Sequence, residues 1–353
     1  MLVQGKPYRT VWLQGSSVQM IDQTLLPHAF QIITLPSCRE TAQAITDMRI
    51  RGAGAIGAAA GYALAQGVLE APAGAGFWPA VQQARALVEG TRPTARNLFY
   101  ATERVAAAVQ GLAPEQAREQ AVQEAQAIAD EDAAFCKRIG EHGSSLIRDG
   151  ARVATHCNAG WLAFVDFGSA LSPVYQAVRQ GKRVHVYADE TRPRGQGASL
   201  TSWELQQEGI PHHIIPDNAM GFLMQRKEVD LMLVGADRIC AADGSAANKI
   251  GTYEKAVCAK DNGIPFYVAA PSTTIDFSLP SGAAIPIEER HEDEVHFVWG
   301  RDDQGAFRRV RISPAGTRAR NLAFDVTPGR LITGFITERG IHKPDDLMQL
   351  RPR

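Results

Sequence analysis

Cysteine is scarce and unpatterned in this chain of 353 residues. Cys38, Cys136, Cys157, Cys240 and Cys258 are odd in number and widely spaced, with no C-x-x-C among them. Such spacing argues against a disulfide framework or a zinc site and suits a reducing cytoplasm. No apolar run is long enough to span a bilayer. The opening residues Met1 to Lys6 lack an apolar core, so no signal peptide is expected. An excess of one charge is also missing. The formal net charge is −1, which gives no electrostatic reason to expect nucleic acid or an anionic membrane as partner. Internal repeats and low-complexity tracts are absent. What remains is ordinary for a globular protein, 45% hydrophobic and 21% charged, and long enough for two domains with separate cores.

The chain changes texture near its middle. Tyr8–Leu13, Ser17–Ile21 and Phe30–Leu35 read as short strands, with Gly15-Ser16 as a turn. Ser37 and Glu40 have capping-box spacing before a helical stretch, Thr41–Met48. Ala55–Leu69, Trp78–Glu89, Ala95–Gln110 and a long run from Pro114 to about Ile147 are expected helices, with Pro114 suited to a first turn. After Gly150, strand candidates alternate with helical or loop segments. They are Arg152–Thr155, Arg183–Tyr187, His212–Ile215, Leu231–Val234 and Pro265–Ala269. This is the pattern of parallel βαβ units. The expected class is therefore α/β. Residues 1–130 are expected to form a mostly helical N-terminal domain with a small β-sheet, and 131–353 a second domain with a mainly parallel sheet.

Each late strand ends in a polar or glycine-bearing tip, and open parallel sheets bind ligands at their carboxyl edge. The tips are His156-Cys157-Asn158, Asp189 to Arg192, Asp217-Asn218, Asp237-Arg238 and Ser272 to Thr274. All five are expected at one end of the sheet. Cys157 and Asp237 stand out, because a thiol and a carboxyl group facing one cleft suit acid–base chemistry. Asp237 follows the apolar Leu233-Val234, and burial is expected there. A helix is expected to begin at Asn158-Ala159-Gly160, placing Cys157 at its N-terminus. A direct His156–Cys157 dyad is disfavoured, since neighbours on a strand point to opposite faces. The same alternation argues against joint metal ligation by His212 and His213. Gly52 to Gly57 matches G-x-G-x-x-G, but the preceding segment reads as helix rather than strand, which disfavours a dinucleotide site. Arg51 with the amides of Gly52 and Ala53 at a helix start suits a phosphate instead, although a tight packing turn would explain the glycines equally well. Arg92, between two helices, and Lys249, in a glycine-bearing loop, are further phosphate candidates. Taken singly, each reads as a solvated surface group.

Taken together, these motifs resemble the methylthioribose-1-phosphate isomerase family. The resemblance rests on Arg51-Gly52-Ala53, Thr91-Arg92-Pro93-Thr94, His156 to Gly160, Asp189 to Pro193, Gln196-Gly197-Ala198, Gly235 to Arg238 and Ala247 to Thr252. It extends through Phe266 to Ser272, Ile285 to Arg290 and Ala323 to Pro328, so it runs from about Val11 to Ile341. One departure is an apparent insertion at Pro314–Arg320, expected to form a surface loop. The resemblance implies a Rossmann-like catalytic domain, a homodimer, a small sugar phosphate as substrate, and neither metal nor nucleotide cofactor. It assigns Asp237 as proton donor and Cys157 as catalytic cysteine. Arg51, Gly52, Ala53, Arg92, Gln196, Asn248 and Lys249 are its substrate-binding positions.

The implied chemistry is the conversion of an aldose 1-phosphate to a ketose 1-phosphate. The phosphate masks the aldehyde, so the ring must open with acid help before hydrogen moves between C2 and C1, as proton or hydride. Ribose 1,5-bisphosphate and 5-deoxyribose 1-phosphate are alternative substrates. A non-catalytic regulatory subunit and a sugar-phosphate sensor are the alternatives outside enzymes. The pairing of Cys157 with Asp237 favours the enzyme.

Overall fold

A computed structural model of the chain describes residues 1–92 and 95–351. The N-terminal part opens with a two-stranded pair, Leu2–Val3 and Lys6–Pro7, followed by a three-stranded antiparallel sheet of Val11–Gln14, Ser17–Ile21 and Ile32–Leu35. Helices α1 (Cys38–Thr46), α2 (Ala53–Glu70), α3 (Phe77–Glu89), α4 (Arg96–Val109) and α5 (Pro114–Gly143) follow. Ser37 caps α1, its Oγ accepting from the Glu40 amide. Every residue of α2 from Gly54 to Val68 is buried, as expected for a helix that is apolar on all sides. It forms the axis around which the other helices pack. Pro93 and Thr94, part of the motif at Arg92, lie outside the described residues.

α5 feeds two cores. Ala117, Ala121 and Ala125 belong to the core around α2, whereas Ile139 belongs to the core beneath the later sheet. Residue 130, the expected domain boundary, lies within this 30-residue helix.

The later part is built on a seven-stranded sheet. From edge to edge the strands are Gly340–His342, Gly334–Thr337, Phe266–Ala269, Leu231–Val234, Ala151–Thr155, Val184–Asp189 and His212–Ile215. Only the Gly340–His342 edge strand is antiparallel to its neighbour. The five expected strands are all present. Numbered along the chain, the six parallel strands run 3-2-1-4-5-6, the doubly wound order. The order reverses between Ala151–Thr155 and Leu231–Val234, the two strands that lead to Cys157 and Asp237.

Two expectations need correction. No helix begins at Asn158. A single turn, Trp161–Ala163, follows there, and the next helix is α6 (Ser172–Arg179). Lys249 ends a strand, Ala246–Lys249, rather than sitting in a loop. That strand belongs to a second, four-stranded sheet with Ile275–Asp276, Arg238–Cys240 and Phe324–Thr327, which the sequence pattern did not reveal. Pro314–Arg320 is an irregular and mostly exposed surface segment.

Candidate active site

The switch point opens into a cleft between the sheet edge and the N-terminus of α2. Arg51, Gly52, Ala53, Arg92, Cys157, Gln196, Asp237 and Lys249 all line it. Cys157 is 7% exposed and takes a left-handed backbone, φ +66. Its amide donates to Thr191 Oγ1 at 2.8 Å, and its carbonyl accepts from Thr201 Oγ1 at 2.7 Å. Such a backbone is uncommon outside glycine and is held here from both sides. Asp237 is half-buried rather than sealed among apolar side chains.

Asn248 does not line the cleft. The strand alternates, so Ala247 and Lys249 face it. Asn248 donates from Nδ2 to Thr252 Oγ1 at 3.0 Å. Three of the five polar tips also do not line it: Asp189 to Arg192, Asp217-Asn218 and Ser272 to Thr274. Asp217 accepts from the amides of Thr191 and Arg192, both at 2.7 Å. Ser272 binds the carboxylate of Glu338.

The cleft is strongly cationic. Arg51 donates to Asn158 Oδ1 at 2.6 Å and to Asn158 O at 2.9 Å, which aims its guanidinium. Arg92 lies 3.6 Å from Glu288, and Arg290 pairs with the same carboxylate at 2.9 Å. Lys249 is 5% exposed and donates to the carbonyl of Ala323 at 2.8 Å, with Nζ 4.5 Å from the ring centre of Phe324. Burial pushes its ammonium down to about 8, and Arg290 adds to the effect. Burial and Arg290 likewise lower Arg92. Cations crowded together in this way are stabilised by an anion placed among them.

Gly52 opens α2 with φ +95, and a side chain there would sit 2.4 Å from Ala163 Cα. Only glycine permits this close approach. The first-turn amides of a helix have no intrahelical partner and carry the positive end of its dipole. Three buried polar atoms in the cleft also lack partners among the described residues: Gln196 Oε1, Asn97 Oδ1 and Arg92 Nε. Unpaired buried groups of this kind are costly unless a ligand satisfies them. The lining also includes the apolar side chains of Met48, Ile56, Ile285, Pro286 and Phe324.

Sequence reasoning did not single out Arg290, Asn97 or these apolar residues. Arg290 and Phe324 lay inside recognised motifs, but nothing local marked them as facing a cleft. Just behind Cys157, His156 Nδ1 lies 2.7 Å from Asp189 Oδ2, and Nε2 lies 2.8 Å from the carbonyl of Ile250. His156 thus turns away from Cys157. Together with Asp217 it forms a cluster of metal-ligand types. Protein donors already engage Asp217, and the Lys255 ammonium lies 3.6 Å from Asp189, so the cluster is better matched to internal hydrogen bonding. His212 and His213 take different partners, Ile210 O and His185. The G-x-G-x-x-G segment follows α1 rather than a strand, which removes the context a dinucleotide site needs.

The initiation factor 2 subunit family matches residues 49–344. A methylthioribose-1-phosphate isomerase from Methylocella silvestris is 50% identical over 355 residues, spanning 97% of this chain and 96% of that one. The crystal structure of 5-methylthioribose 1-phosphate isomerase from Pyrococcus horikoshii OT3 superposes with a TM-score of 0.86 at 40% identity, covering 98% of this chain and 97% of that one. The translation initiation factor eIF-2B, subunit delta, from A. fulgidus gives a TM-score of 0.81, also at 40% identity, covering 96% and 97%. The chain belongs to the initiation factor 2 subunit family and, within it, to the methylthioribose-1-phosphate isomerases.

Proposed function

We propose that this chain isomerises 5-methylthioribose 1-phosphate to 5-methylthioribulose 1-phosphate in methionine salvage, with Asp237 and Cys157 as the reacting groups. The observation that carries the reading is a cleft lined by both cations and apolar side chains. A cationic cluster of Arg51, Arg92, Lys249 and Arg290 shares the lining with Met48, Ile56, Ile285 and Pro286. A phosphate carries about two negative charges near neutrality and suits the cations. An uncharged methylthio group suits the apolar side chains.

In this reading Asp237 gives a proton to the ring oxygen, and the bond from that oxygen to C1 breaks. Hydrogen then passes from C2 to C1, with Cys157 beside those carbons, and the C2 hydroxyl loses its proton to become the carbonyl. That proton restores Asp237, so the reaction is balanced with no external oxidant or reductant. The amides of Gly52 and Ala53, with Arg51, Arg92 and Lys249, hold the phosphate, and Gln196 Oε1 accepts from a sugar hydroxyl. Asn248 would contribute through its backbone or by supporting Lys249.

We further infer a cytoplasmic homodimer. In support, all five cysteines are free, and no helix among the described residues is long and apolar enough to cross a membrane. Phe222 is 60% exposed on α8 (Met220–Gln225), beside exposed Tyr253 and Val257 on the adjoining α9 (Thr252–Asn262). Sedimentation of the purified protein tests the dimer.

The decisive experiment supplies 5-methylthioribose 1-phosphate, ribose 1,5-bisphosphate and 5-deoxyribose 1-phosphate in parallel. Preferred ketose formation from the methylthio sugar supports the reading, and preference for the bisphosphate overturns its substrate. The likeness to the eIF-2B delta subunit favours a scaffold as the second reading, and no turnover of any of the three would put it first.

A further inference from the structure

The carboxylate of Glu204 lies in no cleft, yet it organises one. It sits in α7 (Ser202–Gln207) and is 0% exposed. Its Oε1 accepts from Asn158 Nδ2 at 2.8 Å and from the Leu162 amide at 3.2 Å. Its Oε2 accepts from the Trp161 amide at 2.8 Å and from the Tyr175 hydroxyl at 2.6 Å. Four donors converge on one buried carboxylate, and three of them belong to the segment just after Cys157. The fit leaves no slack at Gly160, where a side chain would lie 1.9 Å from Glu204 Oε2.

The chain of contacts continues to the cleft. With Nδ2 committed to Glu204 and to Thr201 Oγ1, the Asn158 amide has one orientation, which leaves Oδ1 to accept from Arg51. The Asn158 carbonyl accepts from the same guanidinium. Arg51 immediately precedes the Gly52 cap of α2. A buried carboxylate that does not line the cleft thereby fixes a cation that does, two hydrogen bonds away.

We propose that Glu204 is a positioning residue for substrate binding, acting through Asn158 to hold the Arg51 guanidinium in its phosphate-binding orientation. The inference rests on the reading of Arg51 as a phosphate ligand. Glu204 meets only donors, so an isosteric amide cannot replace it. In a Glu204→Gln variant the NH2 group faces either the Trp161 amide or the Asn158 and Leu162 donors, and the Asn158 amide loses its fixed orientation.

The test is a double-mutant cycle on the full-length protein, with thermal melting recorded for each variant. The readouts are KM and kcat for the sugar phosphate and the inhibition constant of inorganic phosphate. Glu204→Gln is expected to raise KM and the phosphate inhibition constant about tenfold, the size expected for weakening one charge-assisted contact, with kcat within about twofold. In an Arg51→Ala background the same substitution should add little, because coupled residues are not additive. Should Glu204→Gln fail to fold, Asn158→Ala takes its place in the cycle, since it removes the link and leaves Glu204 its other three donors. Multiplicative effects of the two substitutions, or a loss confined to kcat, would overturn the positioning role. If Arg51→Ala alone leaves the phosphate inhibition constant unchanged, the phosphate reading of Arg51 itself fails, a result distinct from additivity.

Discussion

His156 and Asp189 form a buried pair, Nδ1 to Oδ2 2.7 Å, whose ring also reaches the carbonyl of Ile250 at 2.8 Å. A carbonyl oxygen only accepts, so Nε2 carries a hydrogen. One imidazole therefore ties the tip that bears Cys157 to the residue after Lys249. Gly251 closes the arrangement, since a side chain there would lie 3.1 Å from the His156 ring. Replacing His156 by Ala leaves Asp189 buried without this partner. The expected loss is about 3 kcal/mol of stability, read by chemical denaturation. Turnover should fall as well, because the thiol and the ammonium lose their common anchor. Unchanged stability and activity would show that the pair is dispensable.

Cys157→Ser and Asp237→Asn test the chemical roles. Each variant keeps its neighbours' geometry and the cationic cluster. Each is expected to lower kcat by about a hundredfold or more, the range for losing a positioned acid or base, while phosphate inhibition persists. Near wild-type turnover in either one would remove that residue from the reaction.

Lys249 supplies a pH signature. Its ammonium is pushed down to about 8, against an ordinary value of 10.5. The charged form binds phosphate, so kcat/KM should fall as pH rises through about 8, and Lys249→Met should be weaker below that pH and flat across it. Stability of the free protein moves the other way. Between about 8 and 10.5 the unfolded chain holds a proton that the folded chain has released, so stability rises with pH in that window. The Met variant should lack this rise, which denaturation at pH 7.5 and 9.5, chosen as about half a unit below and well above the folded value, will detect.

Gly52→Ala tests the helix start. An L side chain at φ +95 is strained, and its Cβ would lie 2.4 Å from Ala163 Cα. The expected cost is about 2 kcal/mol or more, because backbone strain and a clash with main chain add together. KM should rise with it as the α2 amides shift. A variant with unchanged melting temperature and KM would mean that Gly52 is not required there.

How much of this was legible in advance differs from residue to residue. The run Leu231–Val234 and the apolar helix from Gly54 to Val68 were readable because their patterns are local. Residue type, period and the nearest breakers decide such elements before any distant contact forms. Cys157 and Asp237 were readable as strand tips for the same reason. The four-residue strand Ala246–Lys249 was not, because a strand that short, ending beside a glycine, looks like a loop until Phe324–Thr327 pairs with it.

The sequence by itself determined the α/β alternation, the helical first half and the family motifs, since these depend on local periodicity and on residues close together in the chain. Tertiary structure alone decided which tips face the cleft. It turned Asp217 and Ser272 to internal partners, set Asn248 opposite Lys249 by strand alternation, and brought Arg290 and Phe324 in from a distant segment. It also gave Glu204 its place behind Asn158, because a buried carboxylate draws its role from donors that only folding can assemble around it.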